Sequence, residues 1–419
     1  MTSTTGRAPT AGTPTRAEAQ RRTLTVLVTS QILSGAGLAA GITVGALLAQ
    51  DMLGSTDLAG LPSALFTAGS ALAAVAVGRL SQARGRRPGL AAGYLTGAVG
   101  SAGVIAAAAL DNPVLLFLAL FVYGAGTATN LQARYAGADL ADPARRARAV
   151  STVLVATTLG GVVGPNLAAP TGTLAEHLGI PALAGPFLLA GAAYALAALV
   201  LARRLRPDPL LLARELQRAE RGAGDTAAAA TGPDQVRRPT LMLGALTMIL
   251  TQLVMVAIMT MTPVHMHDHG HGTAASGLVI AVHVGAMYLP SPLTGWLVDR
   301  HGPTAVAAAS GLTLLTAGLV AAAAPADSVV LLALALALLG LGWNLGLVSG
   351  TAMITDAAPL ATRARTQGTV DVAIAIAGAT GGLASGIVVS AVGYAALSLT
   401  CGLLALAVLP AVAATARSR

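Results

Sequence analysis

Twelve apolar stretches, each as long as a bilayer is thick, dominate this 419-residue chain. A hydrocarbon core needs about 20 predominantly apolar residues per crossing helix. Such runs lie at approximately 24–50, 58–81, 89–110, 113–136, 147–170, 181–202, 240–262, 274–298, 303–324, 328–353, 366–391 and 394–415. Hydrophobic residues make up 55% and charged residues 10%, where a soluble globular chain carries roughly 25% charged. The expected fold is an all-α polytopic membrane protein: twelve transmembrane helices in two six-helix bundles. Residues 1–22 are polar and carry Arg7, Arg16, Arg21 and Arg22, and the first apolar run is full length. That run reads as a permanent first helix behind a short tail, not as a cleavable signal.

Arginine tests the topology. There is no lysine, and all 25 basic residues are Arg. With the N-terminus inside, they fall in the N-tail, in loops near 82–88, 137–146, 299–302 and 354–365, in a linker at 203–239, in the C-tail, or at adjoining helix ends. Loops near 51–57, 111–112, 171–180, 263–273, 325–327 and 392–393 hold none. This obeys the positive-inside rule and places both termini in the cytoplasm of a plasma-membrane protein. It also assigns the net charge of +8 to loops facing anionic lipid, so no nucleic-acid partner is expected. Cys401, the single cysteine, excludes a disulfide framework.

The two halves echo each other. Gly78-Arg-Leu-Ser-Gln-Ala-Arg-Gly85 ends the second run and Gly295-Trp-Leu-Val-Asp-Arg-His-Gly302 ends the eighth, 217 positions later. Gly124-Ala-Gly126 and Gly340-Leu-Gly342, and Arg148 and Arg365, stand at nearly the same offset. The expected domains are 1–202, a cytoplasmic linker 203–239 containing a short surface helix, and 240–419. Parallel repeats of this kind build transporters. Gly78 to Pro88, with Gly85-Arg86-Arg87, resembles the loop 2–3 signature of the major facilitator superfamily. The resemblance implies alternating access and a charge latch between the halves. Gln82 replaces the signature's acidic residue, which the second copy keeps as Asp299, and so is expected to weaken the latch.

Met255-x-x-x-Met259 in the seventh run and His283-x-x-x-Met287 in the eighth each put two soft donors on one helix face. Thioether and imidazole suit Cu(I) rather than magnesium or calcium. Placed by depth on antiparallel helices, the four descend inward from Met259, about 12 Å outside the centre, to Met287 near it. The pattern resembles that of the CcoA-like copper importers (CalT family), which implies the same four residues as metal ligands. Their equivalents in the first half, Leu38, Ile42, Phe66 and Ser70, cannot ligate a soft ion. The outside segment carries Met261, His265, Met266, His267, His269 and His271; an extended backbone would align its histidines for metal capture. Methionine also fills helical cores, and a lone intramembrane histidine more often bonds a neighbouring helix or relays a proton.

Asp371, inside the eleventh run, is the clearest intramembrane carboxylate: either a proton-coupling group or a partner for Arg86 or Arg365 in the inner latch. Arg86, Asp299, Arg300 and Gln252 complete the candidate coupling and gating set. Gln31, Asn130, Asn166 and Asn344 line a cavity or join helices. Gly160 to Pro165 is similar to a glycine-proline signature of drug/proton antiporters in the superfamily. No P-loop, catalytic carboxylate cluster or nucleophile elbow is present, so no enzyme is expected. The leading expectation is import of Cu(I) or a copper complex, copper being substrate and no cofactor being permanently bound. A downstream copper chaperone or cuproprotein assembly would receive it from a monomeric importer. The alternative is a proton-coupled exporter of drugs or metabolites, and a third reading is a membrane sensor.

Overall fold

The computed structural model describes residues 15–39, 44, 48–49, 51–52, 61–223 and 237–417. The expected tail, the loop near 51–57 and the expected linker therefore lie partly outside the described residues, as does Ile42. Among the described residues all regular secondary structure is helical.

The first half contains α1 (Arg16–Ala39), α2 (Leu61–Arg84), α3 (Arg86–Ala109), α4 (Pro113–Ala138), α5 (Arg146–Asn166) and α6 (Gly185–Arg204). The second contains α7 (Arg238–Asp268), α8 in two segments (Thr273–Tyr288 and Ser291–His301), α9 (Pro303–Ala323) and α10 (Val329–Ala357). One further run, Arg363–Ala405, is two helices, α11 (363–392) and α12 (394–405), parted at Gly393. Nine continuous runs among the described residues are long and apolar enough to cross a membrane, and one of them holds both α11 and α12. α1 and α5, whose described portions carry arginines at one end, complete twelve.

Local chemistry sets the ends. The Asn112 side chain accepts from the Leu115 amide 3.0 Å away, with Pro113 beginning α4. Gly85 and Gly302, the last residues of the two repeated signatures, take φ of +99° and +86° to turn the chain into α3 and α9. Helix forms in two places expected to be loop. A helix at Ala168–His177 follows α5, and α7 continues through Pro263 to Asp268. The eighth span, expected unbroken, is interrupted at Leu289–Pro290.

α1–α6 pack mainly on one another, around Tyr94, Tyr123, Phe187 and Tyr194, which are fully buried. α7–α12 form a second core around Leu314, Leu336, Leu339 and Val348. The halves meet chiefly where α2 crosses α11 and where the second segment of α8 crosses α5. Each crossing is made by the first glycine of a repeated signature. A Cβ on Gly78 would lie 2.9 Å from the Ala364 carbonyl oxygen and 3.0 Å from the Gly368 Cα. One on Gly295 would lie 2.8 Å from the Ala147 carbonyl oxygen and 2.9 Å from the Arg148 Cα. Backbones thus touch directly at the end of the bundle where the arginines gather.

A side chain at Gly368, whose Cβ would sit 2.6 Å from the Ala74 carbonyl oxygen, has no room while this end is closed. Gly368→Val is therefore expected to shift the protein towards an arrangement open at the arginine-rich end. Spin labels placed on either half there should move apart in pulsed dipolar measurements, and an unchanged distance distribution would contradict the packing account.

Candidate functional site

The closed end is held by helix termini capped across the halves. Asp299 accepts from the backbone amides of Ala147 and Arg148 at 3.0 and 3.2 Å, at the start of α5, and pairs with the Arg148 guanidinium at 3.0 Å. At the position 217 residues earlier, Gln82 Oε1 accepts from the amides of Ala364 and Arg365 at 2.9 and 3.4 Å, at the start of α11. Free amides at a helix start favour an acceptor there. The Gln82 amide also donates to the carbonyls of Leu360 and Ala361 at 3.3 and 2.6 Å. This corrects the expectation of a weakened latch: glutamine gives up the charge but gains two donors that aspartate lacks.

Arg86 is buried and pairs with Asp139 at 2.7 Å, within its own half, while donating across to Gln367 Oε1 at 2.6 Å. Asp371 pairs with neither Arg86 nor Arg365. Its partner is Arg134 of α4, 2.8 Å away, with the Tyr135 hydroxyl donating to the same oxygen at 3.1 Å. Arg134 also reaches the Thr351 hydroxyl of α10 at 3.1 Å and is fully buried. The second Asp371 oxygen has no hydrogen-bond partner among the described residues. The buried pair therefore ties α4 to α10 and α11, across the halves. Arg300 lies instead over Trp296, 5.5 Å from the ring centroid.

Above this floor three side chains share a depth. Gln252, Tyr288 and Trp343 stand 14, 13 and 14 residues from the arginine-rich ends of α7, α8 and α10, about 20 Å along each helix. Asp371 is eight residues into α11, about 12 Å. The Trp343 indole N–H donates to Gln252 Oε1 at 2.8 Å, and its ring meets Tyr288 edge-on at 5.8 Å. Trp343 is nearly buried, whereas Gln252 and Tyr288 keep part of their surface open. The Gln252 amide nitrogen makes no hydrogen bond among the described residues. Gly378 of α11 faces it, with space for a Cβ only 3.2 Å away.

The soft-donor residues do not form the expected staircase. α7 packs on α10 and α11, while the first segment of α8 packs on α10 and has little contact with α7. His283 is fully buried, with Nδ1 donating to the Leu336 carbonyl at 2.8 Å and Nε2 without a partner among the described residues. Met255 and Met287 are 4% and 8% exposed and pack among aliphatic side chains; Met259 is half-buried. The outer histidines are not an extended array either, because helix carries the chain to Asp268. His265 stacks on Tyr394 and meets the His269 ring at a tilt, and His271 bonds the Ala326 carbonyl at 2.7 Å. Met266 is buried, Met261 half-buried and His267 exposed. Among the described residues, no three His, Cys, Asp or Glu side chains gather as a metal site.

Sequence reading missed Arg134, Tyr135, Thr351, Tyr288 and Trp343. Arg134 was counted only as a cytoplasmic basic residue. In a chain with 3% aromatics, two rings near the centres of apolar runs were the available signal.

Comparison with known proteins places this architecture. The sequence profile of the Major Facilitator Superfamily matches residues 27–345 and 245–418. The chain is 58% identical over 392 residues to the uncharacterised MFS-type transporter YdeG of Bacillus subtilis, covering 94% of this chain and 91% of that one. It is 31% identical over 364 residues to the riboflavin transporter RfnT of Brucella anthropi, covering 85% and 86%. The human organic anion transporter MFSD10 shares the fold, with TM-score 0.75, 18% identity and coverage of 96% and 100%. FucP in its outward conformation gives TM-score 0.69 at 16% identity, covering 94% and 98%. The chain belongs to the Major Facilitator Superfamily and is a membrane transporter, not an enzyme.

Removing one member of a buried ion pair strands the other and costs about 3–5 kcal/mol. Asp371→Asn should accordingly lower the detergent-solubilised melting temperature. Replacing Arg134 by Met in the same chain should recover a large part of that loss. Equal melting temperatures for wild type and Asp371→Asn would show that the pair does not stabilise the closed end.

Proposed function

We propose that this protein moves a planar organic solute bearing carbonyl acceptors across the plasma membrane by alternating access, with the arginine-rich end cytoplasmic. The observation that carries this reading is the midplane group of Gln252, Tyr288 and Trp343. Transporters of this architecture bind substrate near the midplane, between halves that rock about it. Trp343 fixes the Gln252 carbonyl and the Tyr288 ring. Among the described residues nothing else takes the Gln252 amide N–H groups or the Tyr288 hydroxyl, which can donate to a solute, and the Tyr288 face offers stacking. Riboflavin, the substrate named for the 31%-identical relative, has a planar ring and carbonyl oxygens of this kind. With the arginine-rich end closed, solute enters from the opposite side.

Asp371 supplies a means of coupling. A proton on its carboxylate removes the negative partner of Arg134, the buried charge pair that joins the halves. Opening of the cytoplasmic side then no longer separates a pair, so proton and solute favour the same opening from adjacent positions.

Copper import is the second reading, and one observation favours it. The Leu336 carbonyl fixes the proton of His283 on Nδ1, leaving a buried Nε2 lone pair with no donor, as metal-binding histidines are held. It requires α7 and α8 to approach in another conformation, because Met255 and His283 are carried by helices with little mutual contact.

Uptake into proteoliposomes separates the two. Labelled riboflavin should accumulate, and Gln252→Leu should raise its KM about tenfold, the equivalent of about 1.4 kcal/mol. His283→Leu should leave that uptake intact. Copper uptake that is lost in both Met255→Ala and His283→Leu, with no flavin transport by wild type, would reverse the order of the readings.

A further inference from the structure

The mouth opposite the arginine-rich end carries an imidazole pair that the proposed transport does not use. Because α7 continues to Asp268, His265 lies on its last turns and His269 is its C-cap, four residues on. Their ring centroids are 4.3 Å apart and the planes tilt by 53°. Two histidines at this spacing on one helix face are the ligand pair of helical zinc sites.

The hydrogen bonding prepares both rings. His269 Nδ1 lies 2.7 Å from the His265 carbonyl oxygen, which can only accept. The proton is therefore on Nδ1, and the Nε2 lone pair points away from the helix backbone. Metal-binding histidines are oriented by the same kind of carbonyl contact. His265 makes no hydrogen bond through either ring nitrogen among the described residues. Its position is set by stacking: the Tyr394 ring lies 4.4 Å away and 11° from parallel, and the Tyr394 hydroxyl is tied to Thr262 at 2.8 Å. The face of His265 is thus occupied and its edge is free.

Two nitrogens, each about 2.0–2.1 Å from one tetrahedral ion, stand roughly 3.3 Å apart. The ring centroids are 4.3 Å apart, so the imidazoles must separate modestly for one nitrogen of each to reach a shared ion. The neighbouring histidines are placed differently. His271 is turned to the Ala326 carbonyl, and His267, two residues from each member, projects from another side of the helix.

We propose that His265 and His269 form a two-imidazole site for a borderline divalent ion, Zn²⁺, Ni²⁺ or Cu²⁺, with water completing the coordination. The ion cross-links successive turns at the end of α7 and braces that end against Tyr394 of α12. This site is distinct from Met255, Met259, His283 and Met287, and it stands whether the solute is organic or metallic.

The test uses full-length protein purified on an affinity tag free of histidine. Isothermal titration with Zn²⁺ should find one saturable site, and His269→Gln and His265→Gln should each weaken it at least tenfold. His267→Gln should leave it unchanged. With one equivalent of Cu²⁺, pulsed electron paramagnetic resonance should report two coordinated imidazoles in wild type and one in His269→Gln. His269 is exposed and its replacement leaves the packed core intact, so that variant remains informative if His265→Gln misfolds. Absence of a saturable site in wild type overturns the proposal. So does an equal loss of affinity in His267→Gln, which would mean that the histidines bind as an unstructured cluster.

Discussion

Closure of the arginine-rich end depends on helix starts in one half being capped by side chains of the other. Asp299 receives the first amides of α5 and Gln82 those of α11. A helix begins with amides that no preceding turn can satisfy, and leaving them bare away from water is costly. Direct backbone contact at Gly78 and Gly295 brings each side chain within reach. The two caps are related by the internal repeat, so both crossings close by the same geometry with different chemistry. Charge serves at one and a neutral amide, working as acceptor and donor together, serves at the other.

Inward from the closed end, charged pairs give way to neutral polar groups. Arg86–Asp139 supports the closed end from within the first half, while Arg134–Asp371 joins the halves at greater depth. Above both stand Gln252, Tyr288 and Trp343, in the second half only. In the first half Gln31, Ser34, Tyr94 and Asn130 are bonded to one another and buried. That group is bonded within the first half, whereas in the second half the Gln252 amide nitrogen makes no hydrogen bond among the described residues.

The soft-donor motifs show how far spacing reaches. Four-residue spacing places Met255 with Met259 and His283 with Met287 on common helix faces, and nothing in it specifies which neighbour each face meets. α10 packs against both helices, so His283 is turned to Leu336 and the methionines fill the second core. The outer histidines were misread for a related reason. Their alternation suits a strand, but α7 continues through Pro263, and four-residue contacts replace two-residue ones.

Hydropathy and arginine placement made the twelve spans legible, because hydrocarbon admits only long apolar segments whose backbone is internally bonded. The 217-residue repeat likewise announced the paired signatures and the latch they form. Glutamine at position 82 was visible but not its four hydrogen bonds, since these depend on carbonyls and amides nearly 280 residues away. Nor could sequence pair Asp371 with Arg134, which lies 237 positions earlier, or set Trp343 behind Gln252. Spans are dictated by each segment's own exchange with lipid, whereas partners are decided only when separate helices compete for the same space.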